Sequence, residues 1–271
     1  MSKAVAKALV TVSLRKFDPT KITPGRTMVF LGKRGTGKTT LVTDILWYLK
    51  SIPVGVVMSG TEEGNHYYGQ YFPDLFVYPE YKKDVVESIT ARQKQLCNNN
   101  TPNRDILLLL DDCAFDKSWT TDKCMRSIFM NGRHQATTLA VTLQYMMDLH
   151  PALRANIDYV FVLRENVIAN KQRIYTNFFG VFPNFNVFSE VFDKFTENFE
   201  CLVMDNTSKS NKIEDQVFYY KAEIRPPFRF GGDDYWSYHD KHYDPDHTDT
   251  QQDDGSMKRQ SKVNVRVVRK G

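Results

Sequence analysis

The sequence predicts an α/β fold, a mostly parallel central sheet with helices on both faces. Two observations carry this. Apolar, largely aliphatic or β-branched runs recur along the chain, separated by stretches with helix-compatible spacing. The runs also lack the polar alternation of a half-exposed strand, which implies burial on both sides and so a layer of helices against each.

In chain order the runs are TMVFLG (27–32), VGVVMS (54–59), ILLLLD (106–111), TLAVTLQ (138–144) and DYVFVL (158–163). Segments such as KTTLVTDILWYLK and KKDVVESITARQKQLC lie between them and are the expected crossover helices. Further on, ECLVMD (200–205) and QVFYYKA (216–222) flank the polar stretch NTSKSNKIED and read as an antiparallel hairpin added at the sheet edge. A chain of 271 residues suits one α/β domain with additions. The expected division is an N-terminal arm (1–25), a main domain (26–225) and a charged, flexible C-terminal tail (226–271).

Hydrophobic residues make up 41% of the chain and aromatic residues 13%, as in folded soluble proteins. The longest purely aliphatic run, 106–110, is far too short to cross a bilayer, so no membrane span is expected. The opening MSKAVAKALVTVSLRKFDP reads as a first strand or arm: Lys7 interrupts its apolar stretch, and no small-residue cleavage site follows before Arg15 and Lys16. Cys97, Cys113, Cys124 and Cys201 show neither C-x-x-C pairing nor histidines at zinc spacing, and read as inert thiols in a reducing compartment.

The net charge of +4 says little about nucleic acid, but its distribution is uneven. Eight aspartates against the single Lys241 occupy 233–254, and six Lys or Arg with no acid follow from Ser256. Such a two-signed segment is expected to be solvated, or an arm that docks on a partner or DNA. His239, His242 and His247 lie among the aspartates and are read as part of that solvated segment rather than as a metal site.

The first run ends directly in Gly32-Lys33-Arg34-Gly35-Thr36-Gly37-Lys38-Thr39-Thr40, which matches G-x-x-x-x-G-K-[ST] between a strand and a helix. Glycines let the backbone curl so that successive N–H groups point at a β-phosphate, and the helix offers its positive end to the same anion. Lys38 neutralises β and γ oxygens in such a loop, and Thr39 ligates Mg²⁺. The expected fold is therefore a P-loop NTPase.

The third run ends in Asp111 and Asp112. Of this pair Asp111 is expected to hold Mg²⁺ through water, and Asp112 to polarise a water attacking the γ-phosphate. The strand at 54–59 falls between loop and acids in sequence, so the acid-bearing strand is expected beside the loop strand with the 54–59 strand outside it. That order belongs to the hydrolytic, motor-type (RecA-like, ASCE) branch. A GTPase would carry N-K-x-D, whereas NKQR at 170–173 lacks the aspartate, and a small nucleotide kinase rarely has such an acid pair.

Gln144, at the end of the fourth run, is placed to contact the attacking water and the γ-phosphate together and so to sense hydrolysis. NGRH brings Arg133 and His134 into a turn, and LRANIDY supplies Arg154. Either arginine is a candidate for reaching a neighbouring subunit's γ-phosphate, with surface salt bridging the plainer reading of each.

With the loop, the acid pair, NGRH, TLQ, LRANIDY and CLVMDNTSKSNKIEDQVFYYKA aligned, residues 26–225 resemble the genome-packaging ATPases of nucleocytoplasmic large DNA viruses, the vaccinia-type branch of the FtsK and HerA superfamily. The resemblance implies ATP as fuel and a homo-oligomeric ring that draws double-stranded DNA into a preformed capsid. It also implies capsid or internal-membrane partners, and work in the cytoplasmic virus factory of the host or in the virion. By the same resemblance Lys38 and Thr39 bind nucleotide and Mg²⁺, Asp111 and Asp112 form the Walker B pair, Gln144 is the sensor, and Arg133 is the first choice for the trans finger. The wider superfamily usually has glutamate where Asp112 stands, and the shorter carboxylate shifts the water position.

A motor of this kind must grip phosphates rather than read bases. Lys82, Lys83, Arg92, Lys94 and Arg104 are candidates, with a solvated helix face as the plainer reading. Two other readings of the same motifs are a helicase-like or recombination ATPase, separable by strand displacement, and a nucleotide-binding structural protein of the virion, marked by slow, DNA-independent turnover.

Overall fold

The computed structural model describes residues 12–113, 118–145 and 149–244. The chain runs through β1 (Arg15–Lys16), β2 (Thr27–Leu31), α1 (Lys38–Leu49), β3 (Val54–Ser59), α2 (Glu62–Asn65), β4 (Val77–Tyr78) and α3 (Lys83–Asn98). Next come β5 (Ile106–Asp111), α4 (Ser118–Thr121), α5 (Lys123–Asn131), β6 (Thr137–Leu143), α6 (Pro151–Arg154) and β7 (Tyr159–Val162). It ends with α7 (Ile168–Phe178), α8 (Phe185–Phe195), β8 (Glu200–Asp205), α9 (Ile213–Gln216), β9 (Val217–Lys221) and α10 (Asp233–His242).

The strands form one sheet in the order β1-β9-β8-β7-β2-β6-β5-β3-β4. All neighbours are parallel except β7 with β8 and β8 with β9, so the late hairpin is the antiparallel portion. The two-residue β1 closes the sheet outside that hairpin, parallel to β9. The strand at 54–59 lies outside the acid-bearing strand, as expected. The expectation that β5 lies directly against β2 is corrected, because β6 hydrogen-bonds to both and stands between them. Chain order does not fix lateral order in a parallel sheet, since a crossover can skip a position that a later strand then fills.

Side chains on alternate positions enter two cores, which is the physical content of unalternating apolar strands. Val29 and Leu31 face one side with Leu108, Leu110, Val141 and Val160, covered by α3, α5, α7 and α8 through residues such as Val86, Ile128, Ile174 and Phe188. Met28 and Phe30 face the other with Leu107, Leu109 and Phe161, covered by Leu41, Ile45 and Leu49 of α1 and by Tyr68, Phe72 and Phe230. Asp122 caps α5 by accepting from the backbone N–H groups of Cys124 and Met125, and Asn184 caps α8 through Val187.

Parts of the expected arm and tail are folded against this body. Phe17 and Ile22 are buried in the second core. Beyond residue 225, Phe228, Phe230 and Tyr235 are buried, the Phe230 N–H donates to the Tyr71 carbonyl at 2.9 Å, and α10 carries Asp233, Asp234 and Asp240 on its surface. The aromatic residues interleaved with the aspartates provide the apolar area that anchors the segment. The basic run from Ser256 and His247 lie outside the described residues. Cys113 and Cys201 are buried free thiols, and burial pushes the Cys113 thiol up to about 12.

Candidate active site

Register brings the motif residues to one edge. Leu31 of β2 pairs with Leu143 of β6, so Gly32 and Gln144 leave the sheet side by side, and the Gly32 N–H donates to the Leu143 carbonyl at 3.0 Å. Leu110 of β5 pairs with Val141, which sets Asp111 level with Thr142. The phosphate loop, the acid pair and Gln144 thus share the carboxyl edge of the parallel strands, where open α/β sheets bind ligands.

Between β2 and α1 the chain turns through Gly35 (φ 77°) and Gly37 (φ 93°), left-handed conformations that glycine takes without a Cβ penalty. A side chain at Gly32 would meet Thr36 Oγ1 at 2.7 Å and Leu163 Cβ at 2.9 Å, so the tight exit from the strand requires glycine there. Thr36 Oγ1 donates to the Lys33 carbonyl at 2.7 Å, and Lys38 Nζ donates to the Gly32 and Lys33 carbonyls at 2.6 and 3.2 Å, which holds the ammonium over the loop. Burial pulls the Lys38 pKa down, opposed by the carboxylates of Asp112 and Asp111. Lys38, Thr39 and Thr40 open α1, with Arg34 and Thr40 exposed.

Lys33 carries a further constraint that sequence reading missed. Its ammonium pairs with Glu165 Oε1 at 2.6 Å, and Glu165 also accepts from the Val167 N–H and from Asn170 Nδ2. Burial works to raise the Glu165 pKa, but the bonds from Lys33, Val167 and Asn170 outweigh it and hold the carboxyl below its usual range. The loop is thereby tied to the segment after β7.

The acids are held by side chains that no motif names. Thr142 Oγ1 donates to Asp111 Oδ1 at 2.6 Å and accepts from the Asp112 N–H at 2.9 Å, so one hydroxyl on β6 positions both. Tyr68, fully buried, donates to Asp111 Oδ2 at 2.8 Å, and Glu62 fixes the Tyr68 turn by accepting from its N–H. Burial pushes the Asp111 carboxyl up, countered by the Thr142 and Tyr68 bonds. The only sequence signals were a threonine within an apolar strand and a tyrosine-rich segment, NHYYGQYF.

Asp112 sits at φ 49°, a left-handed turn that Asp tolerates better than most residues. A Cβ at Gly60 would lie 2.7 Å from the Asp112 carbonyl oxygen, so Gly60 makes room for the turn. The result aims the carboxylate across the edge, where Gln144 Nε2 donates to Asp112 Oδ1 at 2.8 Å.

Arg133 and Arg154 stand elsewhere. Arg133 lies in the 3-10 turn before β6, its side chain 68% exposed and its guanidinium 3.7 Å from Asp158 at the start of β7. Arg154 ends α6, and its carbonyl accepts from the Ile157 N–H just ahead of the same strand. This is the amino edge of the sheet, one strand length or about 17 Å from the phosphate loop. Among the expected DNA contacts, Lys82 pairs with Glu80, Lys83 lies 3.7 Å from Glu87, Arg92 donates to Gln93 and Arg104 to the Thr101 carbonyl.

The residues fit a nucleotide and Mg²⁺. Mg²⁺ keeps several waters and is bound through one or two carboxylates plus substrate phosphates, not by a protein cage. The donor set here, a threonine hydroxyl from Thr39 at the start of α1 and the carboxylate of Asp111 at the end of β5, has that character.

No family model matches the chain. It is similar to protein L437 of Acanthamoeba polyphaga mimivirus, 34% identical over 243 residues that cover 86% of this chain and 85% of that one. It is also similar to protein 075L of Invertebrate iridescent virus 6, 37% identical over 221 residues that cover 78% of this chain and 86% of the relative. Among solved structures the genome packaging NTPase B204 from Sulfolobus turreted icosahedral virus 2, in complex with AMPPCP, superposes with a TM-score of 0.54 at 15% identity, covering 74% of this chain and 100% of that one. The conjugation coupling protein TcpA with ATPgS superposes at 0.50 and 12% identity, covering 74% of this chain and 61% of that one. At such identities the likeness shows a shared P-loop NTPase fold. The relatives above 30% identity show more: this chain belongs to the viral protein family that includes mimivirus L437 and iridescent virus 075L.

Proposed function

We propose that the protein is a Mg²⁺-dependent ATPase that translocates double-stranded DNA into a viral capsid, working as a homo-oligomeric ring. The observation that carries this reading is the 2.8 Å bond between Gln144 and Asp112 on the edge that also bears Lys38 and Asp111. We read the carboxylate as the base and the amide bonded to it on the adjacent strand as the sensor, the pair that a hydrolytic motor needs. The shared fold with the packaging NTPase B204 supports the same reading.

Bound Mg²⁺ would supply charge neutralisation at the transferred phosphoryl group. The chain's own residues do the rest. Loop N–H groups and Lys38 would hold the β and γ oxygens, Thr39 and, through water, Asp111 would hold the metal, and Asp112 would orient the attacking water and take its proton. Gln144 shares Asp112 Oδ1 and so moves with any change at that carboxylate, which passes the state of the site into β6. Neither arginine of the amino edge can reach the loop of its own subunit, so a finger role belongs to a neighbour's site. DNA is gripped through its phosphates, independent of sequence. We place the protein in the cytoplasmic virus factory, with capsid or internal-membrane components as partners; no described helix is long and apolar enough to cross a membrane.

The test is ATP hydrolysis by purified protein with and without long duplex DNA, with Lys38→Ala as the blank. Stimulation by duplex of any sequence is expected. Turnover by wild type equal to the blank under both conditions overturns the ATPase reading, and turnover unmoved by DNA in the presence of the capsid partner overturns the translocase reading.

A further inference from the structure

On the side of the phosphate loop away from the acids lies a cleft of about 410 Å³, lined among others by Arg34, Gly35, Thr36, Arg164, Asn198 and Phe199. Its size is that of a small-ligand pocket. Phe199 is the anomaly within it. The residue is 66% exposed, although nearly every other phenylalanine of the described residues is packed into a core. Its backbone is left-handed (φ 62°), as is that of Asn198 before it (φ 51°), and a bulky residue rarely adopts that conformation.

These two left-handed residues project the ring over the loop: a Cβ at Gly37 would lie 3.2 Å from Phe199 Cδ1. The placement follows from topology, because β8 runs antiparallel to β7 and so starts, immediately after Phe199, at the edge where the phosphate loop stands. A flat apolar face is thus held beside the residues that bind phosphates, with polar groups from Arg164 and Asn198 around it.

We propose that Phe199 is the platform on which the base of a purine nucleoside triphosphate stacks. The assignment rests on the nucleotide-binding reading above and adds the base subsite to it. Stacking offers a π-face to any base and favours the larger purines, so adenine and guanine nucleotides are both accepted and cytidine nucleotides less well. Strain in the 198–199 turn keeps the ring out of the core, where a phenylalanine would otherwise go.

Isothermal titration of the full chain with ADP and with inorganic tripolyphosphate, both with Mg²⁺, separates base from phosphate. Phe199→Ala is expected to weaken ADP by roughly tenfold, the scale of losing one aromatic–base stack, and to leave tripolyphosphate unchanged. Phe199→Trp is expected to keep ADP affinity and to report binding by a change in indole emission. Equal loss of both ligands in Phe199→Ala, or no loss of either, overturns the platform. If Lys38→Ala weakens both ligands while Phe199→Ala leaves ADP as it is, the platform falls and the phosphate-loop reading stands; if wild type binds neither, both fall.

Discussion

Gln144 Nε2 donates to Asp112 Oδ1 at 2.8 Å, joining the ends of two neighbouring strands that chain order alone would not have paired. The bond makes Asp112 and Gln144 one unit, and their substitutions should not add. Asp112→Asn is expected to lower kcat by on the order of 10²–10⁴-fold, the usual contribution of a general base, with little change in nucleotide affinity. Gln144→Ala should lower kcat as well, and the double variant should be no slower than Asp112→Asn. A double-mutant cycle on kcat checks this, and simple additivity counts against a shared role.

Thr142 holds both acids through one hydroxyl. Thr142→Val keeps the shape but leaves the buried Asp111 with one partner fewer, which should destabilise the fold by about 1–3 kcal/mol. It should also reduce kcat, because Asp112 loses the anchor of its turn. Thr142→Ser should restore both. Urea denaturation and steady-state kinetics on the pair test the hydroxyl itself, and a fully active Thr142→Val would remove it from the site.

The Lys33–Glu165 pair predicts a pH dependence. A carboxyl whose pKa is lower in the folded state stabilises the fold above its unfolded value, about 4.3 for Glu. That contribution is lost as pH falls from there through the lower folded value. Wild type should therefore be more stable than Glu165→Gln at neutral pH, and the gap in Tm should close as the pH drops through the acid range. Parallel thermal melts from neutral pH downward would show it; a gap independent of pH would mean that packing, not ionisation, makes the difference.

Arg133 lies at the amino edge while Lys38 lies at the carboxyl edge. A subunit lacking Arg133 keeps a whole phosphate loop, and a subunit lacking Lys38 keeps its arginine. Mixing Arg133→Ala and Lys38→Ala subunits should recover activity, since a trans arginine finger is worth on the order of 10³–10⁵ in rate. Absence of recovery in assemblies proven to be mixed would count against a site shared between subunits, and Arg133→Ala subunits active without mixing would remove Arg133 from it.

Asp44 of α1 is fully buried and accepts from Tyr220 Oη at 2.6 Å, the Glu223 N–H at 3.0 Å and Arg225 Nε at 2.6 Å. The helix that carries the phosphate loop is thereby bolted to the end of β9. Asp44→Ala should cost about 3–5 kcal/mol, as for breaking a buried ion pair, read as a lower urea midpoint at unchanged slope.

Sequence alone determined the features that depend on neighbouring residues. An apolar run buried on both faces marks a strand wherever it lands, and G-x-x-x-x-G-K-[ST] bends and binds through its own backbone, so the seven long strands, the phosphate loop and the acids at the end of β5 were legible. Tertiary structure alone decided what depends on which strands lie side by side. Insertion of β6 between β2 and β5 brings Thr142 under both acids and Gln144 onto Asp112, and places the arginines at the far edge. The same pairing of β8 against β7 sets Phe199 over Gly37. Hydrogen bonding between parallel strands is equally available to any apolar strand, so their order is settled by the packing of helices and side chains from distant parts of the chain, which no local pattern records.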